Sequence, residues 1–276
     1  MDTLLSIGHG YSAQALARRL LPEGWRIIGT SRTPEGVAAL RATGIEACLW
    51  PGEPLPLTEA THLLTSVPPG KADPVLAAHG AEIARSGLKW LGYLSTTAVY
   101  GHHNGDWVDE TTPLAPSTER GAARAKAEAD WTALGQPLHV FRLAGIYGPG
   151  RGPFEKVRDG SARRIVKPGQ VFSRIHVEDI ANVLHAALKN PHPGIYNVCD
   201  DDPASPEDIL GLAARMLNLP EPPMVPYDEA EMTPMARSFY AENKRVRNDR
   251  IKQVLGVRLL YPTYREGLAA ILAAGG

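Results

Sequence analysis

A glycine-rich turn near the N-terminus is the feature that most constrains how this chain can fold. In the segment SIGHGYSAQALARRL, Gly8-His9-Gly10-Tyr11-Ser12-Ala13 forms a G-x-G-x-x-A pattern between an apolar run and a helical pattern. Gly8 permits a tight turn, Gly10 lets the backbone approach a pyrophosphate, and Ala13 lets the helix pack closely on the strand. Since free N–H groups at a helix start attract phosphates, the six residues predict a dinucleotide site; a glycine-rich turn without a ligand is the alternative.

Short apolar runs alternate with segments whose apolar residues recur at helical spacing, as in SAQALARRLL and PVLAAHGAEIARSG. This alternation is typical of repeated strand-helix units around a parallel sheet. The predicted strands are TLLSI (3–7), WRIIGT (25–30), EACLW (46–50), THLLTS (61–66), LKWLGYLS (88–95), LHVFRL (138–143) and GIYNV (194–198). Together with the glycine-rich turn, they predict an α/β fold with a doubly wound parallel sheet of the Rossmann type.

The sequence changes character at about residue 148, where GPGRGPFEKVRDGSARRIVKPGQVF is rich in glycine, proline and basic residues. We interpret this segment as a long loop or small cap, after which SRIHVEDIANVLHAALKN returns to a helical pattern. We therefore predict a dinucleotide-binding domain over residues 1–147 and 174–199. We also predict a smaller C-terminal substrate lobe, formed mainly by residues 148–173 and 200–276.

Charge and hydropathy exclude several classes of partner. The chain has 29 Lys and Arg against 30 Asp and Glu, so it has no overall field that would gather nucleic acid or an anionic membrane. No apolar stretch approaches the roughly 20 residues that span a bilayer, and the N-terminus lacks the pattern of a signal peptide. We therefore predict a cytoplasmic protein without a nucleic-acid or membrane partner. Cys48 and Cys199 lie far apart in apolar surroundings and are interpreted as structural thiols.

The second predicted strand ends without the acidic residue that usually binds the ribose 2′-hydroxyl of NAD. It reads Gly29-Thr30-Ser31-Arg32 instead. A hydroxyl and a guanidinium suit a 2′-phosphate, because arginine forms charge-assisted bonds to phosphate. We therefore predict that Thr30, Ser31 and Arg32 bind NADP in preference to NAD. Arg32 as a solvated loop residue is the alternative.

Several later segments follow one another in a characteristic order. They are LSTTAVYG (94–101), VDETTPLAPST (108–118), FRLAGIYGPGR (141–151), RIHVEDIANVLHAAL (174–188), GIYNVCDDDPAS (194–205) and LGVRLLYPTYREGL (255–268). Over nearly the whole chain, this order resembles the extended short-chain dehydrogenase/reductase superfamily and its NAD(P)-dependent epimerase/dehydratase group. The resemblance implies a nicotinamide cofactor, a small-molecule substrate and a homodimer. We assign Ser66, Val67 and Ser95, at the ends of two predicted strands, to the cofactor site.

The resemblance also implies a catalytic group. In that superfamily, a Ser or Thr at the end of the fifth strand orients the substrate, while a Tyr-x-x-x-Lys pair on the next helix exchanges the proton and holds the nicotinamide ribose. Thr96 occupies the hydroxyl position and is our candidate catalytic residue. A strand-end threonine that bonds to backbone is the alternative.

The next helix, STERGAARAKAE, lacks the tyrosine. Anchoring the family pattern on Glu128 places Arg124 at the lysine position and Arg120 at the tyrosine position. Taking Lys126 as the lysine places Ala122 there instead. Arginine is a poor acid or base at neutral pH, so neither register supplies the usual proton donor. Arg124 is assigned to the cofactor ribose or pyrophosphate, with a solvated helix face as the alternative. The departure resembles an atypical YeeZ-like subgroup.

Two other tyrosines lie near the expected cleft. Tyr100 and Tyr147 are candidates to replace the missing acid, although both belong to motifs that usually pack. Two basic clusters, Lys156 to Lys167 and Lys244 to Lys252, either border the cleft and favour an anionic substrate or are solvated surface.

Three histidines are interpreted as structural or loop residues. His102 and His103 are adjacent on a loop, and His176 precedes a helix. Adjacent loop histidines are a weak ligand signal, so we predict no metal site.

Two functions remain open. The first is an NADP-dependent oxidoreductase or epimerase-like enzyme with an atypical active site. The second is a non-catalytic NADP(H)-binding sensor or scaffold that has lost the catalytic pair. The absent phenol favours the second, and the intact substrate lobe favours the first.

Overall fold

The computed structural model describes residues 1–276. Its strands are β1 (Thr3–Ile7), β2 (Arg26–Ser31), β3 (Glu46–Leu49), β4 (His62–Thr65), β5 (Trp90–Thr96), β6 (Trp107–Val108), β7 (Leu138–Leu143), β8 (Gly145–Tyr147), β9 (Arg164–Val166), β10 (Arg174–His176), β11 (Gly194–Val198), β12 (Met224–Pro226) and β13 (Arg245–Val246). Its α-helices are α1 (Tyr11–Leu20), α2 (Pro34–Arg41), α3 (Pro74–Ala84), α4 (Glu119–Thr132), α5 (Phe154–Arg158), α6 (Val177–Lys189), α7 (Pro206–Met216), α8 (Pro234–Tyr240), α9 (Asp249–Gln253) and α10 (Tyr264–Ala273). None of these helices combines the length and the apolar character needed to cross a membrane.

A seven-stranded sheet forms the centre, in the order β11-β7-β5-β4-β1-β2-β3, with every pair parallel. All seven predicted strands are in it, so the predicted doubly wound Rossmann fold is confirmed. The strand order reverses between β1 and β4, because β2 and β3 lie on one side of β1 and the later strands on the other. Ligands of such sheets bind outside the carboxyl ends of the strands at this switch point.

Apolar side chains pack on both faces of the sheet. One face is covered by α1, α2 and α6, whose residues share a cluster of 26 buried side chains with the sheet. The other face is covered by α3 and α4, within a cluster of 16. Ile251, Leu255 and Val257 belong to the first cluster, so this part of the C-terminal segment packs against the main sheet.

The helix starts differ in a way that matters for binding. In α2, α4 and α7, the side chains of Thr33, Thr118 and Ser205 accept a hydrogen bond from a first-turn N–H. By contrast, Gly10, the residue before α1, has no side chain to cap the helix, and the first turn of α1 contains no acidic residue. The positive end of α1 is therefore left for another acceptor.

The predicted loop or cap after residue 148 contains α5 and β9. Its apolar residues join α7 and α10 in a separate cluster of ten buried side chains. Within this lobe, β9 pairs with β12, whereas β13 pairs with β6, a strand of the predicted dinucleotide-binding domain. The division of the chain into two domains stays a prediction.

Candidate functional site

A cleft of about 910 Å³ opens at the carboxyl ends of β1, β4, β5 and β7 and continues to the C-terminal segment. Gly8, Gly10 and Ser12 line one end, and Thr96 with Thr97 lines the middle. The far side is lined by Tyr147, Arg151, Val171, Phe172, Ser173, Arg174, Ala236, Ser238, Phe239, Tyr240, Glu242, Lys244 and Val246. We call this space the cleft.

The glycine-rich turn has the geometry of a phosphate cradle. Gly8 adopts a φ of 76°, in the left-handed region that favours glycine, and its N–H donates to Thr30 Oγ1 at 2.8 Å. A Cβ on Gly10 would touch only the Gly8 carbonyl oxygen, at 3.8 Å, and would otherwise project into open space. The uncapped start of α1 and the empty space over Gly10 together fit a dinucleotide pyrophosphate.

The side chains of this turn have different surroundings. His9 is buried and packs against Gly29, and burial lowers its pKa to about 4, so the ring is neutral at pH 7. Tyr11 lines the cleft, where its Oη donates to Pro149 O at 2.9 Å and the Arg151 guanidinium lies 4.6 Å from its ring centroid. The loop after β8 is thereby held over the turn.

The residues predicted to select NADP lie outside the lining of the cleft. Thr30 is buried, and its hydroxyl is occupied by the Gly8 N–H, so it shapes the turn. Ser31 Oγ packs against Gly36 in the first turn of α2, and Arg32 is exposed. Their role in selecting NADP stays a prediction.

Two residues after β4 lie beside the turn. Ser66 lines the cleft, and its buried Oγ has no hydrogen-bond partner, which leaves it for a ligand. Val67 packs on the turn, because its Cγ2 lies 3.0 Å from the position that a Cβ on Gly8 would take. Val67 is not among the residues that line the cleft.

A buried ionic network lies behind β5. Ser95 Oγ donates to Glu128 Oε1 at 2.5 Å, and Arg142 Nη2 donates to Glu128 Oε2 at 2.7 Å. Arg142 also donates to Tyr100 Oη, which donates in turn to Asn197 Oδ1 at 2.7 Å. Tyr100 is fully buried, and burial raises its pKa to about 12. Its hydroxyl is therefore committed to structure and does not reach the cleft.

Thr96 lies at the end of β5 and lines the cleft. Its Oγ1 accepts a hydrogen bond from Ala98 N at 3.2 Å and so caps the short 3₁₀ turn Thr97–Tyr100. This is the bond to backbone that the alternative interpretation of Thr96, as a strand-end threonine, predicts. The hydroxyl proton is not used by that bond, so Thr96 can still donate to a ligand.

The two arginines of α4 line the cleft, whereas Lys126 does not. Arg124 Nη1 donates to Leu94 O at 2.6 Å, which fixes the guanidinium at the end of β5. The Arg120 guanidinium lies 4.6 Å from the ring centroid of Phe239, a residue of α8. Lys126 is exposed and pairs with Asp130. The register anchored on Glu128 is therefore the one that brings side chains to the cleft.

Tyr147 does not supply the missing phenol in this conformation. Its Oη is buried without a partner and is packed against Gly267 of α10, where a Cβ would collide with it. Burial raises its pKa above the ordinary tyrosine range. Its ring stands edge-on to His176, and His176 Nδ1 accepts from Glu178 N at 3.2 Å as the cap of α6.

The paired loop histidines are occupied by turn contacts. His102 Nδ1 accepts from Asn243 N at 3.0 Å, and His103 Nε2 lies 3.0 Å from Tyr100 O. No group of three or more His, Cys, Asp and Glu side chains is placed to hold a metal ion. Cys48 and Cys199 are unpaired thiols.

An ion pair in the cleft was not singled out by the sequence patterns. Lys244 Nζ donates to Gly101 O at 2.8 Å and to Glu242 Oε2 at 2.6 Å. Burial lowers the pKa of Lys244, and the Glu242 carboxylate partly offsets this. The only sequence signal was the basic run that begins at Lys244, and no other basic residue of that run or of Lys156 to Lys167 lines the cleft. Most of the two clusters is therefore surface, as the alternative interpretation held.

Relatives support the interpretation of the fold. The model of the NAD dependent epimerase/dehydratase family matches residues 75–199. Protein YeeZ of Escherichia coli is 30% identical over 242 residues, which cover 81% of this chain and 86% of YeeZ. A 3-diazoavenalumate denitrifying reductase of a Streptomyces species is 30% identical over 212 residues, covering 69% of this chain and 68% of the enzyme.

Solved structures also support the interpretation of the fold. A conserved protein of unknown function from Silicibacter pomeroyi is 62% identical, with a TM-score of 0.97 over 99% of both chains. The human epimerase family protein SDR39U1, solved with NADPH, has a TM-score of 0.74 at 18% identity over 99% of both chains. MoeE5, solved with UDP-glucose and NAD, has a TM-score of 0.74 at 17% identity over 99% of this chain and 98% of MoeE5. These two likenesses concern the fold, and both proteins bind a nicotinamide cofactor.

Proposed function

The chain belongs to the NAD dependent epimerase/dehydratase family, and from this premise we propose that it is an NADP(H)-dependent oxidoreductase acting on a small anionic substrate. It would work without the tyrosine and lysine that the family commonly uses. When bound, the nicotinamide supplies or accepts a hydride. Everything else must come from the side chains of the cleft.

One observation carries this proposal: the phosphate cradle and the C-terminal segment share a single cleft with an excess of basic side chains. Five basic residues line it, and Glu242 is its only acidic one. The five are Arg120, Arg124, Arg151, Arg174 and Lys244. Such a lining attracts anions, which suits both a dinucleotide and a substrate with a carboxylate or phosphate.

The residues of the cleft divide into two groups. Gly8, Gly10 and the start of α1 would hold the pyrophosphate, with Ser66 as a further hydrogen-bond donor. Thr96 would donate to the substrate, and Arg124, fixed on Leu94 O, would contact the cofactor ribose or the substrate. The name of the Streptomyces relative describes a reductase whose substrate is a carboxylate bearing a diazo group, which agrees with reduction of an anionic compound.

Fluorescence titration with NADPH and NADH tests the cofactor. We expect NADPH to bind more tightly, because the serine and arginine after β2 suit a 2′-phosphate. Arg32→Asp should weaken NADPH binding about tenfold or more and leave NADH binding nearly unchanged. Arg85→Asp, which alters an exposed arginine on the α3 side, is the matched control. If the unmodified protein binds NADH more tightly than NADPH, Ser31 and Arg32 do not select the 2′-phosphate.

Turnover of NADPH with a panel of anionic aldehydes, ketones and diazo compounds tests the chemistry. We expect Thr96→Ala to lower kcat about tenfold or more without changing the Kd for NADPH, and Thr96→Ser to retain most of the activity. Equal turnover by Thr96→Ala would exclude Thr96 from the mechanism.

The second candidate is a non-catalytic NADP(H)-binding sensor or scaffold. The specific observation in its favour is that Tyr100 and Tyr147 cannot offer a hydroxyl to the cleft. Tight NADPH binding with no turnover across the panel, together with a partner affinity that differs between NADP⁺ and NADPH, would establish it. Cytoplasmic location and a homodimer stay predictions, and light scattering of the purified protein tests the dimer.

A further inference from the structure

The ion pair of Lys244 and Glu242 is a candidate to replace the missing proton donor. Both side chains are largely buried, each with 9% of its surface exposed, and both line the cleft. They come from the segment between α8 and β13, outside the helix that carries the family's catalytic pair. Two of the three Lys244 N–H bonds are used, by Gly101 O and by Glu242 Oε2, which leaves one for a ligand.

The pair is connected to solvent by a hydrogen-bond chain. Lys244 Nζ lies 2.6 Å from Glu242 Oε2, and Ser117 Oγ donates to Glu242 Oε1 at 2.7 Å. Ser117 is exposed, just before the start of α4. Lys244 therefore has what a proton donor needs: contact with the cleft on one side and a route to water on the other.

Other titratable groups around the cleft meet these conditions less well. Arg120 and Arg124 do not release a proton at neutral pH. Tyr147 Oη is buried away from the cleft space against Gly267. Tyr240 lines the cleft, but its Oη forms no hydrogen bond with a protein group, and burial raises its pKa to about 12. It is the rival that an experiment must separate from Lys244.

We propose that Lys244 is the catalytic acid of the proposed oxidoreductase and that Glu242 and Ser117 return its proton from solvent. This inference rests on the proposed function and commits to a carbonyl substrate that carries an anionic group. As the carbonyl carbon gains a hydride from the reduced nicotinamide, the carbon–oxygen π electrons move to oxygen. The Lys244 N–H bond breaks, and an O–H bond forms. The product is an alcohol, the nicotinamide is oxidised, and the neutral amine regains a proton from water through Ser117 and Glu242.

A labelling experiment tests the proton chemistry of Lys244 without any substrate. Trace acetylation by acetic anhydride at a series of pH values, read by mass spectrometry, gives the titration midpoint of each lysine in the intact protein. We expect Lys244 to titrate below the exposed Lys126 and Lys89. Glu242→Gln should lower the Lys244 midpoint further, because the carboxylate stabilises the ammonium ion. A midpoint equal to those of the exposed lysines, unmoved by Glu242→Gln, would overturn the proposal.

Turnover tests the role itself. The assay follows NADPH oxidation with 4-carboxybenzaldehyde, an aldehyde that carries a carboxylate, and the Kd for NADPH is measured in parallel. Lys244→Met should lower kcat by about 100-fold or more, since general acid catalysis contributes about 10²–10⁴. Lys244→Arg should be as inactive, because arginine keeps the charge and the hydrogen bonds but cannot give up the proton. Glu242→Gln should move the pH optimum, and Lys126→Met should change nothing.

The outcomes separate the two proposals. A wild-type protein that binds NADPH but reduces no member of the carbonyl panel overturns the proposed function and, with it, a catalytic Lys244. Turnover that survives in Lys244→Met but is lost in Tyr240→Phe leaves the proposed function standing and assigns the proton to Tyr240. Activity retained in Lys244→Arg and lost in Lys244→Met shows that the residue only holds Gly101 and Glu242 in place. Lys244→Arg also serves if Lys244→Met fails to fold.

Discussion

At the scale of single residues, Glu128 belongs both to the family motif on α4 and to the buried core. It is buried with Arg142, and the two charges are satisfied by each other and by Ser95. Breaking a buried pair by removing one partner leaves an uncompensated charge, which costs about 3–5 kcal/mol. We expect Glu128→Gln to lower the free energy of unfolding by about 3 kcal/mol, measured by urea denaturation.

The matched control for that prediction lies on the same helix. Asp130→Asn breaks the exposed pair of Lys126 and Asp130, and an exposed pair is worth only about 0.5 kcal/mol. A Glu128→Gln protein as stable as Asp130→Asn would mean that Arg142 finds other partners.

The backbone of the candidate site could be predicted from the sequence more fully than its side chains. Gly8 and Gly10 were recognisable because a tight turn and a close phosphate approach both require glycine. Thr96 and Arg124 became candidates through the spacing of a family motif. Lys244 and Glu242 were missed, because the contact with Gly101 joins residues that are 143 positions apart. No local sequence pattern reveals a contact between residues so far apart.

At the scale of secondary-structure elements, the seven strands of the sheet could be read from the sequence because each is a short apolar run. The strands of the lobe could not, since they are only two or three residues long and pair with distant segments, as β9 does with β12. The start of α1 was also predictable, because its glycines follow directly on β1.

The turn between β1 and α1 offers a test that separates binding from folding. Gly10 has φ −97° and ψ −158°, an extended conformation that valine adopts readily, and a Cβ there would meet no close protein atom. We therefore expect Gly10→Val to fold with an unchanged melting temperature. Its Kd for NADPH should rise about tenfold or more, because the added side chain occupies the space proposed for the pyrophosphate. Unchanged NADPH affinity would place the cofactor elsewhere.

At the scale of the whole molecule, Asp200 lies two residues after β11, where the chain leaves the sheet. Asp200 is buried, its Oδ1 accepts from Asp202 N, and its Oδ2 has no partner. Desolvation by burial raises its pKa from 3.8 to about 8, against the opposing effects of the Asp202 N–H and Arg174. The folded protein therefore keeps a proton on this carboxyl at pH values where the unfolded chain has released it.

The raised pKa contributes stability that is present below pH 3.8 and is lost as the pH rises toward 8. Asp200→Asn cannot ionise, so its free energy of unfolding should rise relative to that of the wild type between pH 5 and pH 8, by up to about 1.4 kcal/mol per pH unit. Urea denaturation at the two pH values measures the difference. If the free energies of unfolding of Asp200→Asn and the wild type differ by the same amount at pH 5 and at pH 8, Asp200 is already ionised at pH 5.

The strand order has a consequence for how the molecule is made. In the order β11-β7-β5-β4-β1-β2-β3, every strand that follows β1 along the chain adds to an outer edge of the sheet already formed, and none must insert between two earlier strands. The sheet can therefore grow while the chain is still leaving the ribosome, N-terminal part first. The wall of the cleft that carries Glu242 and Lys244 is synthesised after all seven sheet strands. A growing chain thus has its phosphate cradle long before it has a complete cleft, and the proposed chemistry becomes available only when synthesis is nearly finished.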